Sequence, residues 1–354
     1  MMKSPMTPHA RHRSDVGWWS KAERALRAGC LLLAMAAVAG IAFTSEARGA
    51  VELRLTHPAD LTHPVHLAAV RMVNRIAERT KGEVKIAIFP NNALGAPPEA
   101  AQQVRLGVID LMLLNPANIE AVAPKLGVIN IPYQFDDYAH AHRTLDTTGS
   151  EWLQAEFKKA GFQQIAYFEW GFRALSNSVR PVNVPDDIKG LKIRVPPELA
   201  IKAAFEALGA VTATIAYPEV YMALATKTVD GQDNPIGNTW AAKFFQVQKY
   251  EALTKHIYAT IAFAASPKAW ERLTPEQRTI VTEEGLRAGA EARKEVQDQE
   301  NAYLADMEKA GVQITRPDVA KFRALMGPAY AQLKKVLGDE TWNTWSKLVD
   351  AARK

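Results

Sequence analysis

Along the chain, short alternating or fully apolar runs take turns with longer segments whose apolar residues recur at helical spacing. VELRLTH (51–57) alternates apolar and charged residues, as a half-buried strand does. The segment 64–80 then sets Val65, Ala68, Met72, Val73 and Ile76 on one helical face, and Lys81-Gly82 ends it. A second strand is predicted over EVKIAIFP (83–90). A helix over 98–106 follows the turn-rich NNALGAPPE, and VIDLMLLN (108–115) makes a third strand. Strand, helix, strand, helix, strand predicts an α/β fold with a parallel sheet and crossover helices. In such sheets ligands sit beyond the carboxyl ends of strands, which makes Asn115, at the end of the third strand, a candidate pocket residue.

Further along, the pattern predicts helices near 138–147 and 149–160, then a strand over QQIAYFEWGF (163–172) and a separate strand and crossing loop over 174–185. LKIRVP (191–196) is a strand running into helix 198–208. A short strand over 211–217 and helix 218–226 lead to VDGQDNP, which has turn-forming composition. Another strand signal lies in 252–266. From Pro267 onward the chain is mostly helical, over 267–272, 275–310, 317–336 and 339–352, with Thr274-Pro275-Glu276-Gln277 as a start signal for the longest run.

A length of 354 residues implies about two domains, and 48% hydrophobic with 23% charged residues fits a globular protein. Residues 1–47 carry six Lys/Arg and three Asp/Glu, so removing their +3 from the net +5 leaves +2. That near-neutral remainder has no electrostatic footprint for nucleic acid. Residues 1–49 read as a signal peptide: a cationic region to Arg27, an apolar core over 30–43, and small-residue cleavage patterns after Ala47 or Gly49. The apolar core is shorter than the ~20 residues of a spanning helix, so cleaved export to the periplasm is expected rather than anchoring. Cys30, the one cysteine, lies in this leader, leaving no thiol nucleophile or disulfide afterwards.

Three polar residues stand out by their surroundings. Arg173 and Arg194 are flanked by apolar residues or Pro, where a merely solubilising cation is more often Lys. The planar guanidinium grips a carboxylate with two parallel hydrogen bonds. Asn234, within DGQDNP, suits recognition as well as a turn. Trp170, Phe172 and Trp240 flank this group; as pocket walls they would favour a flat or ring-shaped ligand. Taken singly, each has a plainer reading: a strand-end surface Arg, a turn Asn, a core aromatic. His57, His63 and His66 match no tight metal-ligand spacing, so no metal is expected, although His57 ends a strand and stays open as a ligand contact. Glu219 is expected to cap or pair within its helix. With no nucleophile and base, P-loop or closed metal site, neither catalysis nor a cofactor is expected.

The flanks of these residues, GFRALSNSVRPV, DDIKGLKIRVP, LGA (208–210), PEVYMALATKTVDGQDNP and VQKYEALTKH, occur in one order with natural spacings. Together with TKGEVKIAIFPNNALG (80–95) and GVIDLMLLN (107–115), the set strongly resembles the substrate-binding subunit of TRAP (tripartite ATP-independent periplasmic) transporters, the DctP-like family. The resemblance covers nearly all of the chain after the leader. It implies a two-domain periplasmic binding protein, type II-like, with an interdomain ligand cleft and long C-terminal helices. The expected domains are 50–171 plus about 260–300, and 172–259 plus about 301–354.

By position, the resemblance implies that Arg194 bridges the ligand carboxylate and Arg173 assists. Asn234 would hydrogen-bond the carboxylate or a neighbouring hydroxyl, Tyr217 and Trp170 would line the pocket, and Asn115 would contribute a polar group. It also implies a monomer that captures a small organic acid and delivers it to a TRAP permease. A periplasmic sensory binding protein, and an enzyme on the same fold acting on a small carboxylate, remain as alternatives. The ligand stays open among uronates or other sugar acids, keto acids, dicarboxylates and aromatic acids, with a leaning to a hydroxylated or ring-bearing acid. Pro218 replaces a usual Ser, Lys227 a usual Gly or Asn, and Asp233 the commoner Glu of that motif.

Overall fold

In a computed structural model, residues 49–353 are described. The leader, its cleavage patterns and Cys30 lie outside the described residues, apart from Gly49. Among the described residues, no helix is long and apolar enough to cross a membrane.

Ten strands, β1 (Val51–Thr56), β2 (Val84–Phe89), β3 (Leu111–Leu114), β4 (Gln163–Asn177), β5 (Lys192–Val195), β6 (Val211–Thr214), β7 (Gly231–Pro235), β8 (Tyr250–Ala252), β9 (Tyr258–Ala265) and β10 (Gln313–Thr315), form one connected system. Their order is β2-β1-β3-β9-β4-β7-β5-β6, with β8 pairing β4 and β10 at one side. The parallel expectation holds for β2-β1-β3, joined through the crossover helices α1 (Pro64–Arg79) and α2 (Pro97–Leu106). It fails at the middle, where β9 lies antiparallel to both β3 and β4, and β4 antiparallel to β7. Periodicity reports which residues are buried, not which way a strand runs, and mixed sheets are common in large α/β folds.

β4 corrects the sequence reading most visibly. The two predicted segments, 163–172 and 174–185, are one 15-residue strand that is buried from its second residue onward. Its first part pairs β9 up to Phe172, and from Arg173 it pairs β7. Gly171 sits at the handover with φ 102°, a backbone that a residue with Cβ rarely adopts, and a register irregularity immediately precedes it. The strand therefore turns from one half of the sheet into the other just before Arg173, which aims that side chain at the junction.

VDGQDNP is the second correction: Gly231–Pro235 is not a turn but strand β7, with every residue buried. The helix expected over 218–226 starts as a 3₁₀ turn at Tyr217–Glu219 and continues as Val220–Ala225, and 317–336 divides into Val319–Arg323 and Gly327–Leu337. Lys227, where a Gly or Asn is usual, still adopts a left-handed φ of 56°.

Two further helices frame the site: α3 (Leu199–Ala207), which follows β5, and α4 (Pro275–Lys309). Thr274 opens α4 with a reciprocal capping box to Gln277. The 35-residue α4 packs on α1 and along β4, and reaches the helix Ile236–Ala241 and β10, so it bridges both halves of the sheet. A Cβ on Gly289 would meet the Tyr167 carbonyl oxygen at 2.4 Å, so the absence of a side chain lets α4 lie directly against β4.

Candidate functional site

The junction between the two halves of the sheet encloses a cavity of about 200 Å³. All six residues singled out from the sequence line it. Asn115 and Trp170 belong to the β1–β3 side, Arg194, Tyr217 and Asn234 to the β5–β7 side, and Arg173 stands where β4 crosses. The local fold explains the convergence. β5 lies between β6 and β7 with Arg194 beside Gln232, while Ala174, next to Arg173, pairs Asn234.

The two arginines differ in what already holds them. Arg173 donates from Nε to the Asp233 carboxylate and from Nη2 to the Asp233 carbonyl at 2.8 Å, so most of its fork is engaged within the protein. Asp233 also contacts His256 Nε2 at 3.2 Å, and His256 Nδ1 lies 2.8 Å from Thr254 Oγ1. Burial would push the Asp233 carboxyl up, but the Arg173 guanidinium and His256 outweigh it and hold that carboxyl well below the usual carboxylate range. Burial lowers the His256 pKa below its ordinary value, against the opposing pull of Asp233.

Arg194 is only 1% exposed and, among the described residues, takes part in no ion pair. Its hydrogen bond runs from Nε to the Ile215 carbonyl at 2.9 Å, which helps orient the guanidinium and, among the described residues, leaves both terminal nitrogens without an acceptor. Burial lowers its pKa to about 10, with Asp233 opposing and Arg173 adding to the fall. A buried cation without a counter-ion is an unfavourable arrangement that an anionic ligand would relieve.

The remaining predicted residues shape the space around this cation. Tyr217 packs edge-on to Phe244, and burial pushes its hydroxyl up to about 12, so it stays a neutral donor. Trp170 meets His63 edge-on with ring centroids 4.9 Å apart and lines the cavity. Asn234 donates to Gln232 through Nδ2. Asn115 caps a short 3₁₀ turn: its Oδ1 accepts from Ala117 N at 2.9 Å and Asn130 Nδ2 at 3.4 Å. That oxygen is therefore largely engaged.

Other expectations fall outside the cavity. His57 is fully buried against His66, with ring nitrogens 3.2 Å apart, and does not line it; Trp240 stacks on Tyr303 at 4.5 Å. Glu219 is exposed, and its side chain makes neither the cap nor the ion pair expected of it among the described residues. No group of three or more His, Cys, Asp or Glu among the described residues is arranged to hold a metal ion.

Sequence reasoning missed an acidic part of the site. Glu198 lines the cavity, and Asn130 Nδ2 donates to its Oε2 at 2.8 Å. Behind it, Glu120 accepts from Leu199 N at 3.4 Å while its other oxygen is buried without a partner among the described residues. The signal was present in RVPPE, a carboxylate immediately ahead of a helix, but it reads as an ordinary N-cap.

Burial, then the neighbouring Glu198 charge, pushes the Glu120 carboxyl up to about 8. A carboxyl raised on folding contributes stability below its unfolded value of 4.5, and that contribution is lost as pH rises towards about 8. Glu120→Gln, neutral at every pH, is therefore expected to gain stability relative to the native chain as pH rises from about 5 to about 8. Parallel thermal melts across that range check it; a constant difference between the two proteins would refute it.

Comparison with known proteins agrees with this architecture. Residues 55–335 match the family described as bacterial extracellular solute-binding protein, family 7, DctP. The 2,3-diketo-L-gulonate-binding periplasmic protein of Escherichia coli K12 is 35% identical over 278 residues, 78% of this chain and 85% of that one. A TRAP periplasmic solute-binding protein from Sulfitobacter sp. NAS-14.1, solved with bound β-D-galacturonate, superposes with a TM-score of 0.82 at 26% identity, covering 84% of this chain and 99% of the other. The sugar acid binding protein of Advenella mimigardefordensis, in complex with galactonate, also gives 0.82, at 27% identity over 86% and 99%.

Proposed function

Because the chain belongs to family 7 of the bacterial extracellular solute-binding proteins, the TRAP periplasmic receptors, we propose that it captures a small organic acid on Arg194 and delivers it to a TRAP permease. The observation that carries this reading is the buried Arg194 guanidinium, its two terminal nitrogens without acceptors among the described residues, lining a small cavity. A carboxylate is the ligand group whose two oxygens match that fork. Asn234 and Tyr217 supply neutral hydrogen-bonding groups beside it, and Arg173, held by Asp233, lines the same cavity. Relatives with bound galacturonate and galactonate support a sugar acid as ligand.

In this reading, residues 50–171 with about 260–300, and 172–259 with about 301–354, act as two domains that close on the ligand. The handover of β4 at Gly171, and a cavity lined from both sides, support that division. Closure presents one surface to the permease only when the site is filled, so binding selects the form that docks. Residues 1–49 serve as the cleaved export signal, and the exported protein acts as a monomer in the periplasm.

A thermal-shift screen of the purified protein against an organic-acid library tests the proposal. An acid at a hundredfold over its Kd is expected to add about 2.7 kcal/mol, a rise of roughly 5 °C. Absence of any shift, with no carboxylate in the mass spectrum of the denatured protein, would refute it.

A further inference from the structure

Glu198 precedes α3 in the N-cap position, yet its side chain caps none of the helix's free N–H groups. The carboxylate turns to the cavity instead. It is 5% exposed, its Oε2 is held by Asn130, and Oε1 has no hydrogen-bond donor among the described residues. Neither cavity arginine pairs with it, since Arg173 is joined to Asp233 and Arg194 to the Ile215 carbonyl. The cavity thus carries two separate poles, a guanidinium fork and a carboxylate oxygen, between walls that include Trp170 and Tyr217.

We infer that Glu198 is a specificity-determining residue that accepts hydrogen bonds from ligand hydroxyls, so that the site takes polyhydroxylated monocarboxylates and rejects dicarboxylates and unsubstituted alkanoates. This rests on Arg194 holding the ligand carboxylate. With that end fixed, the rest of the ligand must face Glu198 within one small cavity. An alkyl chain there would strip water from Oε1 without replacing its hydrogen bonds. A second carboxylate would place two anions together in a poorly solvated space. A hydroxyl does neither, and the carbon faces of a polyol suit the Trp170 wall. Glu120 supports the charge at Glu198: with its own carboxyl pushed up by burial, it stays largely neutral near neutral pH. Burial, helped by the Asp233 charge, raises the Glu198 carboxyl above its ordinary value, while the Arg173 and Arg194 guanidinium groups and the Asn130 hydrogen bond pull the other way.

Isothermal titration of the purified protein with D-gluconate, D-galactonate, D-glucuronate, hexanoate and succinate tests the inference. At least one hydroxy acid is expected to bind about a hundredfold or more tighter than hexanoate and succinate, since a site built around a hydrogen bond rejects ligands that lack it. Glu198→Gln is expected to weaken the hydroxy acid about ten- to a hundredfold and to narrow the gap to succinate. Glu198→Asp keeps the charge at shorter reach and retains the discrimination against succinate. Succinate or hexanoate binding the native protein as tightly as every hydroxy acid overturns the inference, as does failure of all three hydroxy acids to bind. So does a Gln variant with unchanged preference. The native panel decides alone if the variants do not fold. If Arg194→Ala binds as the native protein does, the carboxylate reading falls too; if it abolishes binding while Glu198→Gln keeps the preference, only this inference falls.

Discussion

Arg194→Ala is expected to weaken binding of the ligand acid by about 3–5 kcal/mol, some hundreds- to thousands-fold, while leaving the unliganded protein at least as stable as before. The two halves of this expectation have one cause. The guanidinium is 1% exposed, holds one carbonyl through Nε, and has no anionic partner among the described residues. In the empty protein it is a desolvated charge that opposes folding, as the fall of its pKa to about 10 through burial also indicates. In the complex, a carboxylate would supply the missing counter-ion. Arg194→Lys is expected to restore charge but not affinity, because one ammonium cannot reproduce the planar fork. Calorimetric titration beside thermal melts of unliganded samples separates the two effects. An Arg194→Ala protein that is strongly destabilised yet binds normally would make the residue structural.

Asp233→Ala should do the opposite, removing about 3–5 kcal/mol of stability before any ligand is added. Asp233 is fully buried, receives the Arg173 guanidinium through its side chain and carbonyl, and contacts His256. Removing the carboxylate leaves Arg173, itself 5% exposed, as a second unpaired cation close to Arg194. The pH dependence follows from the depressed carboxyl: its stabilisation is present above the unfolded value of 3.8 and fades as pH falls below it. Urea denaturation at pH 7 and near pH 3 checks both points, with a large difference between native and variant proteins at pH 7 that shrinks in acid. Equal midpoints at pH 7 would show that the pair contributes nothing net.

The contrast between these arginines was not legible in the sequence. Both stand beside apolar residues and both match a recognition motif, yet the partner of Arg173 lies 60 residues away on a neighbouring strand. The strand itself was hidden. Gln232, Asp233 and Asn234 are polar residues in a Gly- and Pro-bounded segment, the composition of a turn, but all three are at most 4% exposed in β7. Their polarity serves hydrogen bonds with β4 and its neighbours, so composition and local structure disagree where the site lies. β4 was split for a related reason, because Gly171 and Arg173 interrupt an apolar run that the backbone continues through.

What the sequence did carry was the position of Asn115, Tyr217 and Arg194 at or just past the ends of strands. Asn115 closes β3, Tyr217 follows β6, and Arg194 lies in β5 just ahead of Pro196. Glu198 and Asn130 escaped because one resembles a helix cap and the other sits in a Pro-punctuated connector, with no local pattern to join them.

A crystal structure of the protein grown with D-galactonate would test the central claim most directly. The account predicts the carboxylate of the bound acid on both terminal nitrogens of Arg194, with Arg173 still joined to Asp233. A ligand carboxylate placed on Arg173 with the Asp233 pair broken, or one that does not touch Arg194, would contradict it.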